Sequence, residues 1–320
     1  MRCRKCLFAA PYGFIPEIQP RYDAVMPTDF IEVWDRVDLP RDARVTALVC
    51  HPGYSFRLDA ALLDAHFPNL EVLVTASTGN NHVAVDEVRE HGIAFYSLLD
   101  DREALEEIAA SAEGTFLLLL NALKGRGIAY SAGEVKAGRW RMNEDGMRGR
   151  ELQGKRVGVI GMGRIGRRIQ RYCKAFGAHV TCYDPYVEPD APTFDSLEAL
   201  FDSSDIVVVS CTLSDETRQM IGAPLLRRLK DDAVFVNSAR AEIVDEAALA
   251  DVLRAKPDIR VGLDVIAGEH AGRTADSPLL PFLENWQITI TPHIAGATNE
   301  SQAKAAMIAL SLVKRHYSLE

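Results

Sequence analysis

The stretch RVGVIGMGRIGRRIQRYCKAFG, residues 156–177, constrains the fold more than any other part of the chain. An apolar run of strand length passes into Gly161-Met162-Gly163-Arg164-Ile165-Gly166 and then into a segment with helical spacing. A glycine-rich turn of this kind lets the backbone approach a pyrophosphate closely. The helix that follows offers the phosphates free N–H groups and the positive end of its dipole. Glycines also recur in turns for steric reasons alone, so the motif needs context. The next apolar run, HVTCYD, supplies it by ending at Asp184, eighteen residues past Gly166. An acid at that distance accepts hydrogen bonds from ribose hydroxyls and repels a 2′-phosphate, which favours NAD over NADP. Pro185 and Tyr186 follow it, so no adjacent arginine offers a 2′-phosphate clamp.

Short strand-like runs alternate with helix-like segments along most of the chain, the pattern of an α/β protein with parallel sheets. In the first hundred residues the runs are CLFAA, IEVW, VTALVC, LEVLVTAS and IAFYS, with a helix over LDAALLDAHF ending at Pro68. Segment 102–124 is Ala/Leu-rich and free of proline, and reads as one helix joining two regions. A Gly-rich, charged stretch follows, with room for a short helix. Six further runs, at 156–160, 179–183, 205–210, 233–238, 260–265 and 287–291, match the strand count of a doubly wound dinucleotide-binding sheet. NESQAKAAMIALSLVKRHY closes the sequence as an amphipathic helix.

With 320 residues, 48% of them hydrophobic and 25% charged, the chain has enough apolar surface for two ordinary domains. A net charge of −9 argues against nucleic acid as a partner, though a local arginine still suits a small anion. Six cysteines are thinly spread, and the CxxC of Cys3 and Cys6 has no second pair at zinc spacing, so no metal is expected. Thiols lying in apolar runs point to a reducing, cytoplasmic setting. The basic start lacks the apolar length of a signal peptide, and FLLLL at 116–120 is far short of a membrane span.

Ligands of open α/β sheets bind beyond the carboxyl ends of the strands. Three polar groups fall there: Arg240 after VFVNSA, Glu269 shortly after RVGLDV, and His293 after ITITP. Taken singly, a solvated strand end, a loop acid and a helix-capping histidine account for them. Spaced about one βα unit apart behind a dinucleotide turn, they instead converge on one edge. Hydride transfer to a 2-oxo acid needs this set: an arginine to pair bidentately with the carboxylate, a histidine to trade the hydroxyl proton, and an acid to orient the imidazole and favour its charged form.

Here the chain resembles the D-isomer-specific 2-hydroxyacid dehydrogenases. The resemblance covers roughly residues 45–315 and rests on TASTGNNHVAVDEVREHGIAFYSL, AASAEGTFLLLLNAL, ELQGKRVGVIGMGRIGRRI, YDPY, VNSARAEIVDEAAL, GLDVIAGE and TPHIAGAT. It implies two doubly wound α/β domains with a cleft between them. One is a flavodoxin-like substrate domain of residues 1–105 and 295–320, the other an NAD-binding Rossmann domain of residues 106–294 through which the protein forms a homodimer. It implies that Arg240, Glu269 and His293 are catalytic and that Thr78 and Gly79, with Arg240 and His293, hold the substrate. It also implies that Gly161, Gly163, Arg164, Ile165, Gly166, Asp184, Cys211, Thr212, Thr217, Ala239 and Asp264 contact NAD, Asp264 near the nicotinamide amide. Two residues depart from the family pattern: Ala241 where a glycine usually follows the arginine, and Ala84 where an aspartate is common. No regulatory domain follows the final helix, so feedback through one is not expected.

The activity this implies is NAD-dependent hydride transfer to or from a small 2-oxo/2-hydroxy acid of D configuration. A phosphoglycerate or sugar acid is the alternative substrate, with Arg57, Arg102, Trp140 and Arg141 as candidate selectors. An NAD(H)-sensing scaffold or corepressor with little turnover is the alternative function.

Overall fold

A computed structural model describes residues 4–141, 148–187, 192–269 and 272–319. The chain divides into two compact units, the second comprising Ala109–Glu269 and Arg273–Gly296 and the first the segments on either side, up to Ile108 and from Ala297, with Gly272.

The first unit holds a wholly parallel sheet of β1 (Lys5–Ala9), β2 (Thr28–Ile31), β3 (Val45–Cys50), β4 (Val72–Thr75) and β5 (Ala94–Ser97), in the order β2-β1-β3-β4-β5. This is the flavodoxin-like order. Separate apolar layers cover its two faces, one around Phe8, Tyr22, Val49 and Val74, the other around Leu7, Leu48, Phe67 and Leu73. The final helix, Asn299–Tyr317, belongs to the first layer, where Tyr22 Oη donates to the Ala306 carbonyl and Tyr317 Oη to that of Thr46. Strand β2 lies earlier than the IEVW run predicts. The reason is that the carbonyls of Val33 and Trp34 are taken by His51 Nε2 at 2.8 Å and Ser55 N–H at 2.9 Å, which draws this segment off the sheet.

The second unit holds β6 (Arg156–Ile160), β7 (His179–Tyr183), β8 (Ile206–Val209), β9 (Val234–Asn237), β10 (Arg260–Leu263) and β11 (Ile288–Ile290), all parallel, in the order β11-β10-β9-β8-β6-β7. Inward positions alternate as a sheet buried on both faces demands: Val207, Val209 and Phe235 enter one apolar layer, Ile206, Val208, Val234 and Val236 the other. The six strands occupy the six runs read from the sequence, and only their order departs from that of the simplest dinucleotide sheet. A parallel bridge between Cys182 and Thr193 stands outside β7 where a third strand would lie, and β8 crosses to the other side of β6. The direction of winding therefore reverses between β6 and β8, the crevice where such sheets take their ligands.

The single helix expected over 102–124 is two, Arg102–Leu105 and Ala110–Leu123. No glycine or proline lies in the gap. Leu105 and Ile108 are buried in the first unit's core, and Lys304 Nζ takes the Glu107 carbonyl at 2.7 Å. The break coincides with the boundary between the units.

Candidate active site

Strand register sets the site. Tyr183, Ile160, Val209, Asn237, Leu263 and Ile290 are successive partners across the second sheet, so the segments that follow them leave from one edge. At the β6 turn each glycine meets a different demand. Gly161 has φ +91°, and a Cβ there would lie 2.6 Å from the Cys211 backbone. A Cβ on Gly166 would lie 2.0 Å from the Gly161 carbonyl oxygen. A Cβ on Gly163 would meet no atom within 4 Å. One glycine thus bends the chain, one packs helix against turn, and one leaves open space for an approaching phosphate. Gly163 caps the Arg164–Ala175 helix without a side-chain hydrogen bond or an acid in the first turn, which suits a bound anion.

Asp184 does more than the sequence suggests. Its carboxylate accepts the N–H groups of Met162 at 2.7 Å, Tyr186 at 2.9 Å and Val187 at 3.1 Å. A carboxylate has about four lone-pair sites, so one remains on Oδ2 for a ribose hydroxyl. Across the switch point, Ser210 Oγ donates to the Gly161 carbonyl at 2.7 Å, a contact absent from the sequence reading. Burial pushes the Cys211 thiol up to about 11. Thr217 Oγ1 donates to the Thr212 carbonyl at 2.7 Å and accepts from Ser214 N–H at 2.7 Å, so this hydroxyl shapes its own loop.

Arg240 follows a turn built by Asn237, a residue the sequence reading passed over, although asparagine after an apolar run is turn chemistry. The Asn237 side chain accepts from Ala239 N–H at 3.0 Å and donates to the Arg240 carbonyl at 2.9 Å. Arg240 Nη1 donates to the Ala239 carbonyl at 2.6 Å, and among the described residues no carboxylate pairs with the guanidinium. Ala241 opens a short 3₁₀ turn, is 4% exposed, and is not among the residues of positive φ, so glycine is not required there. The Ala110–Leu123 helix braces this turn through Thr115 Oγ1 and Ser238 Oγ, 2.5 Å apart.

Glu269 and His293 meet: His293 Nδ1 lies 3.1 Å from both Glu269 carboxylate oxygens. His293 has φ +56°, uncommon for a residue with a side chain and most informative when found beside polar chemistry. Asp264 holds that backbone in place. It is 2% exposed, and its carboxylate accepts from Thr291 Oγ1 at 2.5 Å, Ile294 N–H at 2.9 Å and Ala295 N–H at 2.8 Å. Glu246 is a further residue that sequence reasoning missed. Buried at the start of its helix, it takes Ala267 N–H at 2.6 Å and Ser277 Oγ at 2.7 Å, anchoring the segment that carries Glu269.

In the first unit, Thr78 and Gly79 lie on the loop that leaves β4 at its carboxyl end. Ala84 starts the Val85–Glu90 helix with no side-chain cap, so the loop lacks an aspartate's help there. Ser77 Oγ instead donates to the Gly79 carbonyl at 2.6 Å, and Ala84 N–H donates to the Leu58 carbonyl at 2.8 Å. Arg57 Nη2 reaches the Val83 carbonyl at 3.4 Å. Cys6 is buried and its thiol is pushed up to about 12; Cys3 lies outside the described residues. Among the described residues no group of acids, histidines and cysteines is arranged to hold a metal, and no helix is long and apolar enough to cross a membrane.

Fold and site together define a dinucleotide-binding α/β protein with an Arg/Glu/His set at the carboxyl edge of its second sheet. Residues 116–295 match the model of the D-isomer specific 2-hydroxyacid dehydrogenase NAD-binding domain, and the chain belongs to that family. It is 35% identical over 290 residues to D-3-phosphoglycerate dehydrogenase of Mycobacterium leprae (strain TN), which covers 87% of this chain and 51% of that protein. To glyoxylate reductase of Korarchaeum cryptofilum (strain OPF8) it is 32% identical over 264 residues, 80% of this chain and 76% of the relative. A D-lactate dehydrogenase from Aquifex aeolicus, solved with NAD and lactic acid, superposes with a TM-score of 0.77 at 25% identity, covering 98% of this chain and 95% of that one. The chain spans about half the length of the phosphoglycerate dehydrogenases it matches.

Proposed function

We propose that the protein is an NAD-dependent oxidoreductase that interconverts a small 2-oxo acid and the corresponding D-2-hydroxy acid. The observation that carries the reading is the Glu269–His293 contact on the sheet edge that also carries Arg240. Arg240 pairs with the substrate carboxylate, since its turn presents a guanidinium with no carboxylate partner among the described residues. The family resemblance implies that backbone N–H groups of Thr78 and Gly79, on the loop after β4, also hold a substrate carboxylate. Glu269 faces Nδ1 of His293, so Nε2 is the nitrogen that exchanges a proton with the substrate oxygen. NADH, when bound, would supply the hydride for C2. The open space at Gly163, the uncapped helix start and the remaining acceptor of Asp184 suit that cofactor's pyrophosphate and ribose.

Relatives named for phosphoglycerate and for glyoxylate point to a small, polar acid. The reading also includes a homodimer through the second unit, where Leu117, Ile128, Val135 and Trp140 expose 54–73% of their surface on or beside two successive helices. Buried free thiols favour a reducing cytoplasm as its setting.

The test is a panel of glyoxylate, pyruvate and hydroxypyruvate with NADH, and 3-phosphoglycerate with NAD, followed at the nicotinamide absorbance. Turnover of at least one acid is expected. His293→Ala is expected to lower kcat by about 10²–10⁴-fold while NADH still binds. Turnover by none of these acids, or near-normal turnover by the variant, overturns the reading.

A further inference from the structure

A chain of buried and half-buried side chains runs behind the Thr78–Gly79 loop. Ser77 Oγ lies 2.6 Å from the Gly79 carbonyl, Thr75 Oγ1 lies 3.0 Å from Ser77 Oγ, and His82 Nε2 lies 2.9 Å from Thr75 Oγ1. Its direction follows from hydrogen-bond valence. A carbonyl only accepts, so Ser77 spends its one hydroxyl proton on Gly79. Ser77 then accepts from Thr75, which spends its own proton there. Thr75 must in turn accept from His82, so Nε2 of His82 carries a hydrogen. Thr75 is fully buried and His82 is 4% exposed, whereas Thr78 is exposed at the loop tip. The His82 backbone is itself tied down, its carbonyl accepting from Leu58 N–H at 2.8 Å. The rigid end of the relay is therefore His82, and the end it holds is the Gly79 carbonyl, in the Gly79–Asn80 peptide.

We propose that His82 is a positioning residue for substrate binding: as the Nε2–H donor of a His82→Thr75→Ser77→Gly79 relay, it fixes the Gly79 carbonyl and through it the path of the loop that carries the Thr78 and Gly79 N–H groups. The inference rests on the proposed role of those groups in holding the substrate carboxylate. It accounts for how the loop keeps its shape although Ala84 provides no side-chain cap at the helix that follows. His82 is packed in the core, with Nε2 also 3.7 Å from Cys50 Sγ, so it transmits order to an exposed loop more effectively than a solvated group does.

The experiment has an arm that does not depend on turnover. Long-range ¹H–¹⁵N correlations of the His82 ring in the full chain should show a hydrogen on Nε2; a ring protonated only on Nδ1 overturns the relay whatever the substrate proves to be. In the second arm, His82→Leu and Ser77→Ala break the relay at its two ends, and His82→Gln returns an N–H donor at similar reach. With the best acid of the panel, each break should raise KM roughly three- to tenfold, the worth of one hydrogen bond, with a smaller effect on kcat and NADH affinity unchanged. His82→Gln should recover most of the loss. Ser77→Ala decides the matter if His82→Leu does not fold. Unchanged KM in Ser77→Ala, or equal loss in the glutamine and leucine variants, overturns the proposal. Absence of turnover in the unmodified protein refutes the dehydrogenase reading and removes the substrate-positioning role, while the ring spectrum still decides whether the relay exists.

Discussion

Gly114→Ala tests how tightly the histidine segment is held. Gly114 lies within the Ala110–Leu123 helix, and a Cβ there would stand 2.5 Å from the Ala295 carbonyl oxygen and 2.6 Å from its Cα. Ordinary contact begins near 3.4 Å, so a methyl group requires a shift of roughly 1 Å, and a misplacement of that size near the chemistry costs up to about 10²-fold in rate. Both neighbours are backbone, so no side-chain rotation relieves the clash. The helix is poorly placed to yield, because Ala112, Leu118 and Leu119 are buried in the core. Ala295 is held by Asp264 through its N–H, and the same carboxylate holds Ile294, next to His293. The displacement therefore passes to the imidazole. Against it stands alanine's helix propensity, worth about 1 kcal/mol over glycine in a helix interior. Melting temperature should thus change modestly, and NADH titration by fluorescence should be nearly unaffected, while kcat falls by about 10–10²-fold. A folded Gly114→Ala protein with normal kcat would refute the argument, because the loop would then be free to move without consequence for His293.

Three further outcomes follow from the same structure. Asp264→Asn replaces one carboxylate oxygen by an NH2 group that faces at least one N–H donor in a site 2% exposed; it should cost about 1–3 kcal/mol in urea unfolding as well as lowering kcat, and unaltered stability would contradict the buried network. Asp184→Ser should relax the preference for NADH over NADPH, yet weaken affinity for both because three backbone N–H groups lose their acceptor; equal use of both cofactors by the unmodified protein would remove the basis of the claim. Burial raises the Asp205 carboxyl, but Lys230 at 2.5 Å and Arg156 N–H at 2.8 Å outweigh it and hold the group down to about 2. A depressed carboxyl stabilises the fold above its unfolded value near 4 and loses that contribution as the pH falls toward 2. Asp205→Asn should therefore flatten this part of the acid-unfolding curve, and an unchanged curve would show that the pair contributes nothing.

Much of this molecule was legible in local pattern. Strands β3, β6 and β7 and the final helix occupy the very residues whose periodicity announced them, and the glycine turn has the conformations its three glycines imply. Alternation of apolar side chains and the conformational freedom of glycine are properties of a few neighbouring residues, so a sequence displays them directly. What the sequence could not display are partnerships between distant residues. The helix break between Leu105 and Ala110 has no breaker residue, and the core and Lys304 provide its cause. IEVW has strand composition, yet His51 and Ser55 claim the carbonyls of Val33 and Trp34. Asp184 and Asp264 look in sequence like acids waiting for a ligand. In the folded chain each carboxylate accepts backbone N–H groups 2–3 or 22 residues away in the first case and 30–31 in the second, so each shapes its loop. Residue type fixes how many hydrogen bonds a carboxylate accepts, and only the tertiary structure decides which donors come within reach.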